Sequence, residues 1–170
     1  MTDTSGMIDD NDITPKRSPQ LLAHVKDAKL RKQLVAVAAR INANPNAKVS
    51  AMLLIRLVAW QPLLFKPGTQ YHHSNTGWDI LGLIAARVER KPLPTIYRAR
   101  LFRPLHLEQS AYDPQGVISG PHAHGYQLQR NGVATNTSGQ AYFKAADGAI
   151  VSTAAETATF FTALMCAVVV

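Results

Sequence analysis

The chain has a single cysteine, Cys166, among its 170 residues. A lone cysteine forms no intramolecular disulfide, so a disulfide scaffold and a metal site built on several cysteines are excluded. Long apolar runs are missing too, and none approaches the ~18–20 residues that span a bilayer. Acids are scarce over most of the chain. Residues 16–103 hold sixteen Lys and Arg against three acids, Asp27, Asp79 and Glu89, whereas residues 1–15 hold four acids and no base. The whole chain carries 18 basic minus 11 acidic residues, or +7. The bases are spread out with no run of five or six, which reads as solvated helix faces. The same block is also the footprint of a non-catalytic binding module for nucleic acid or an anionic polymer, which stands as the alternative function. Thr2-Asp3-Thr4-Ser5-Gly6 contains neither a basic nor an apolar stretch, so no export signal is expected in the residues given.

What is present is apolar enough to fold. Hydrophobic residues make up 46% of the chain, which supports a packed core in one domain of ordinary size. Ser18-Pro19 reads as a helix start. Leu22, Val25, Ala28, Leu30, Leu34, Val37 and Ile41 then recur at three- and four-residue steps, predicting one helix over 21–41. Asn42, Asn44, Pro45 and Asn46 stop it. Ser50 is placed to cap a second helix that Pro62 ends. A third begins near Thr76, with Asp79 completing a near capping box. Its apolar residues, from Trp78 to Val88, nearly surround it and predict burial. Pro94 suits the start of a fourth helix. Residues 104–147 have no strong period, only short strand candidates at 123–128 and 141–144. Thr153 with Glu156 fits a capping box for a last helix. Trp60, Trp78, Phe160 and Phe161 are expected in the core. Loops this long are unusual in a compact domain and suit a part of a larger fold.

Several runs resemble, in order, segments of the serine β-lactamase-like hydrolases, which include class C β-lactamases, D-alanyl-D-alanine carboxypeptidases and related esterases. Phe65-Lys66-Pro67-Gly68-Thr69-Gln70-Tyr71-His72-His73-Ser74-Asn75 followed by Leu81-Gly82 resembles the family's Pro-Gly turn, Tyr-Ser-Asn motif and Leu-Gly helix. Thr4-Ser5-Gly6-Met7 resembles the His-Thr-Ser-Gly segment after the first catalytic motif. Phe102-Arg103-Pro104-Leu105, His124-Gly125-Tyr126, and Ser152-Thr153 with Phe160-Phe161 resemble later segments. The resemblance implies acyl transfer: a serine of Ser-x-x-Lys attacks the carbonyl of a D-Ala-D-Ala peptide, β-lactam or ester. A serine hydroxyl is a weak nucleophile without an adjacent base, and the oxyanion needs backbone donors.

The chain departs from that pattern at three points. None of its eight serines, at 5, 18, 50, 74, 110, 119, 138 and 152, has a lysine three residues on. The family's C-terminal Lys-Thr-Gly or His-x-Gly motif is missing, and the chain runs from Cys166 into three valines. The motif tyrosine is replaced by His73, with Ser74 and Asn75 kept. Imidazole titrates near ~6.5 and phenol near ~10, so His73 accepts a proton where the family has a hydroxyl. Tyr71 would share its face in an extended segment. The site residues expected from the resemblance are therefore His73 and Asn75, with no nucleophile in this chain. His72, His73, His122 and His124 are possible ligands, but no carboxylate or third spacing rule joins them. No metal and no cofactor are expected.

These readings predict a mainly α chain with long loops and short strands. That is the helix-rich part of the β-lactamase/transpeptidase-like α+β fold, with most of the sheet absent. They make 1–170 one partial domain: 1–17 loop, 18–107 helical, 108–147 loop-rich, 148–165 strand and helix, and 166–170 an atypical tail. The chain alone is expected to be inactive, or to complete a split hydrolase. A small peptide or β-lactam is the substrate the family implies. Self-association through exposed apolar surface is expected. Family members usually act outside the cytoplasm.

Overall fold

The computed structural model describes residues 3–9, 18–43, 50–114, 118, 120–137 and 146–166. The strand candidate at 141–144, most of the 1–17 loop, the Asn44-Pro45-Asn46 stop and the valine tail lie outside those residues. The described chain is helix-rich with two small sheets. It divides into two units: Met1–Ile84 with Ala145–Asp147, and Ala85–Lys144 with Gly148–Val170.

The first unit is built on α1 (Ser18–Ala23), α2 (Ala28–Ala43) and α3 (Ala51–Val58), and α4 (Asn75–Glu89) starts within it. One core joins Ile8, Leu21, Val25, Leu30, Leu34, Leu57 and Val58. The single helix expected over 21–41 is broken at 24–27. There Asp27 Oδ1 accepts the Leu30 N–H at 2.9 Å and so caps α2, while the Arg31 guanidinium donates to the Val25 carbonyl at 3.0 Å. The break folds α1 back, so that Leu21 and Val25 reach the same core as Leu30 and Leu34. Side-chain spacing alone carries no trace of this, because periods of three and four run through the turn as well. The Gln61 amide ties α3 to α1 by donating to the Leu21 carbonyl at 3.0 Å. Ser50 precedes α3 with extended backbone, but its side chain makes no capping bond.

The second unit holds α5 (Leu93–Tyr97), a π-helical turn over Arg98–Phe102, β1 (Ala111–Tyr112), β2 (Tyr126–Leu128), β3 (Ala134–Asn136), β4 (Ile150–Val151) and α6 (Ala154–Met165). β1 pairs antiparallel with β4, and β2 with β3 as a hairpin registered Tyr126↔Asn136. The expected box at α6 forms, with Thr153 Oγ1 accepting the Glu156 N–H at 3.2 Å. Glu156 also accepts the Gln109 N–H at 2.8 Å and the Ser110 hydroxyl at 2.6 Å, fastening the start of β1 to α6. These bonds hold the Glu156 carboxyl below the usual carboxylate range.

The aromatic and apolar expectations are met only in part. Trp60 and Phe161 are 38% and 56% exposed rather than core. α4 buries Thr76, Gly77, Asp79 and Gly82, while Ile84 and Val88 face outward. The physical reason is that polar anchors described below fix which side of α4 turns inward. On α6, Phe161, Leu164 and Met165 are likewise exposed.

Candidate active site

The site is built where the residues 3–9 strand of chain meets the loop before α4. Three backbone hydrogen bonds lace them in opposite directions: Leu64 N–H to Gly6 O, Gly68 N–H to Thr4 O, and His72 N–H to Asp3 O, each 2.8 Å. Gly6 makes this approach possible. Its φ is +73°, and a Cβ there would collide with the Phe65 carbonyl oxygen. The Pro67-Gly68 turn, with Gly68 at φ +83°, swings the loop back toward Thr4.

Ser74 then anchors the start of α4. It is buried, donates its hydroxyl to the Ile8 carbonyl at 3.2 Å and accepts the Gly77 N–H at 3.4 Å. Ser74, not Thr76, is therefore the capping residue, and Thr76 Oγ1 is buried with no hydrogen-bond partner among the described residues. Asp79, expected to complete a box with Thr76, instead turns inward at 3% exposure and accepts the Asp147 N–H at 3.2 Å. Burial first, and then the neighbouring Asp147 charge, push the Asp79 carboxyl up to about 6.

With Ser74 held, its neighbours project together. His73 Nε2 lies 2.9 Å from Asn75 Oδ1, and His73 Nδ1 lies 3.1 Å from Asp3 Oδ2. The Asp3 carboxylate, and after it Asn75, raise the His73 pKa above its ordinary value. The protonated ring donates from both nitrogens and satisfies both oxygens. In the neutral ring one nitrogen becomes an acceptor, and a half-turn of the Asn75 amide then offers it an N–H. The pair so formed takes up and releases a proton at an open position, since the His73 side chain is 52% exposed.

The two residues expected from the sequence, His73 and Asn75, are thus brought into contact, and Tyr71 stands apart at 72% exposure. Asp3 was not among the expected site residues. Its only sequence signal is its place directly before Thr4-Ser5-Gly6. The His122 and His124 rings lie tilted against each other in the second unit, centroids 4.8 Å apart, with His122 Nδ1 2.8 Å from the Gly120 carbonyl oxygen. Among the described residues no group of three or more His, Cys, Asp or Glu is gathered as a metal would need. The second unit also has a cavity of about 540 Å³ lined by Arg98, Phe102, Arg103, His106 and Tyr112 among others.

Comparison with known proteins gives this geometry a setting. A family model described as Beta-lactamase matches residues 16–168. Protein flp of Staphylococcus aureus (strain COL) is 30% identical over 74 residues, which is 44% of this chain and 15% of that protein. Among solved structures, a D-stereospecific amidohydrolase from Streptomyces sp. superposes with a TM-score of 0.71 at 19% identity. The superposition covers 99% of this chain and 46% of that one. A penicillin binding protein from Bacillus halodurans gives 0.67 at 22% identity, covering 97% and 44%. D-amino acid amidase from Ochrobactrum anthropi SV3 gives 0.67 at 20% identity, covering 99% and 43%. The chain thus spans less than half of each of these structures, and the likeness to them is one of fold.

Proposed function

The chain belongs to the Beta-lactamase family, a family of serine hydrolases, and from that premise we propose that its first unit carries one wall of an acyl-transfer site, with His73 in the place of the motif tyrosine. The observation that carries this reading is the 2.9 Å contact of His73 Nε2 with Asn75 Oδ1 at the start of α4. Those two residues stand at the ends of the His73-Ser74-Asn75 match to the Tyr-Ser-Asn motif. In the proposed site His73 handles the proton of a serine hydroxyl and the Asn75 amide holds the substrate amide. The serine comes from a Ser-x-x-Lys segment that residues 1–170 do not contain. The substrate class is an acyl compound: a D-Ala-D-Ala peptide, a β-lactam or an ester. The chain by itself forms no acyl-enzyme.

The fold supports the same reading as a helix-rich portion of a larger domain. In the second unit Val88, Phe161 and Met165 are exposed apolar side chains of the kind that a sheet from outside these residues would cover. Left uncovered, that surface favours self-association.

The test is acylation by a fluorescent penicillin. The chain is assayed alone, and then mixed with a family polypeptide bearing the Ser-x-x-Lys segment. No label on the chain alone, together with label on the added serine that His73→Ala abolishes, is the expected result. Acylation of the chain alone overturns the claim of inactivity. Labelling of the mixture that is indifferent to His73→Ala overturns the role of His73.

A further inference from the structure

The expected site residues leave His73 Nδ1 unexplained. That nitrogen lies 3.1 Å from Asp3 Oδ2, seventy residues earlier in the chain. We propose that Asp3 is a positioning residue for His73: its carboxylate takes the Nδ1–H, so the neutral ring carries its lone pair on Nε2, toward Asn75. This deepens the proposed function and rests on it.

Four observations bear on the assignment. The contact is held from both sides, because the backbone of Asp3 accepts the His72 N–H at 2.8 Å while its side chain meets the next residue along. The segment bearing Asp3 is laced down further by Gly68 N–H to Thr4 O and Leu64 N–H to Gly6 O, with Gly6 in a conformation that side chains rarely adopt. The two partners differ in access, for the Asp3 side chain is 14% exposed and that of His73 is 52% exposed. The orienting group is thus shielded while the ring stays open to an incoming group. Finally, the charges that act on His73 most strongly among the described residues include those of Asp3 and Asp9, both acids, and both favour the protonated ring. A carboxylate on one ring nitrogen is the arrangement that selects a tautomer and steadies the imidazolium formed when the other nitrogen takes a proton.

The step this serves is balanced. The serine Oγ–H proton passes to Nε2 as the bond from Oγ to the acyl carbon forms. The Nε2–H then returns it to the departing nitrogen or oxygen as that bond breaks. Asp3 remains a carboxylate throughout. Asn75 must leave Nε2 for the serine to approach, giving up the contact its amide makes to that nitrogen in either protonation state.

The experiment is a nitrogen-15 NMR titration of the histidines in the whole 170-residue chain, with His73→Gln to assign the ring. The wild type is expected to show the Nδ1–H tautomer and a pKa above the ordinary histidine value. Asp3→Asn is expected to bring the pKa down to that value and to release the ring to a mixture of tautomers. Asp3→Glu should restore both, and Asp9→Asn should change the tautomer not at all. Backbone amide dispersion checks that each variant is folded. An Nε2–H tautomer in the wild type, or an unchanged tautomer and pKa in folded Asp3→Asn, overturns the proposal. The penicillin experiment separates the two claims. If Asp3 moves the tautomer but the mixture forms no acyl-enzyme, the acyl-transfer reading fails and the positioning role stands. If the mixture acylates equally fast with Asp3→Asn, the positioning role fails and the acyl-transfer reading stands.

Discussion

Asp79→Asn should stabilise the first unit at neutral pH and leave it nearly unchanged in mild acid. Asp79 is almost fully buried, and its carboxyl is raised from 3.8 to about 6 by burial and by the Asp147 charge. A carboxyl raised on folding binds more protons in the folded state than in the unfolded one. Its contribution to stability is therefore fully present below about 3.8 and is lost as pH rises through about 6. A shift of this size corresponds to at most about 3 kcal/mol at roughly 1.4 kcal/mol per unit. Asparagine keeps the oxygen that accepts the Asp147 N–H at 3.2 Å and supplies an N–H where the protonated acid would donate. It removes only the buried charge. The assay is urea unfolding of both chains from pH 4 to 8. The difference between them should be near zero at the acid end and grow through the window to about 1–3 kcal/mol in favour of the asparagine chain. His73 also loses stabilisation as pH rises, because its folded pKa is raised, but both chains share that term and the difference cancels it. A difference independent of pH, or one that favours aspartate at neutral pH, would refute the reasoning.

Two further changes test the frame that carries the site. Leu30→Ala removes one of the most buried side chains of the core shared by α1, α2 and α3. It should cost about 2–5 kcal/mol by urea unfolding, and a loss under about 1 kcal/mol would mean the core is not packed as described. Gly6→Ala forces a side chain into a left-handed conformation against the Phe65 carbonyl. It should cost more than about 1 kcal/mol and speed hydrogen exchange at the His72 and Gly68 amides; unchanged exchange there would count against the lacing of residues 3–6 to the loop.

Much of the local structure was legible before any coordinates. Spacing over residues 21–41 marked helix where most of α2 lies, and Thr153 with Glu156 marked the start of α6, because side-chain period and capping are decided within one or two turns of chain. The motif runs marked the family, and His73 and Asn75 touch because residues two apart stay close in any fold. Other features were hidden. The break between α1 and α2 leaves the period of three and four intact. The swap of the α4 cap from Thr76 to Ser74 depends on a bond to Ile8 rather than on the Thr76 and Asp79 spacing.

What the sequence determined by itself is what short-range chemistry controls: helix periods, caps, turns and the motif order that fixes the family. Tertiary structure decided which side of α4 is buried, that Asp79 meets Asp147 across 68 residues, and that Asp3 meets His73 across 70. The Asp3 contact is set by where the backbone of residues 3–9 is laid against the loop before α4, and the Asp79 contact by where Asp147 returns to α4. A hydrogen bond or a charge acts over a few ångströms, and only the folded path brings such distant residues within that reach.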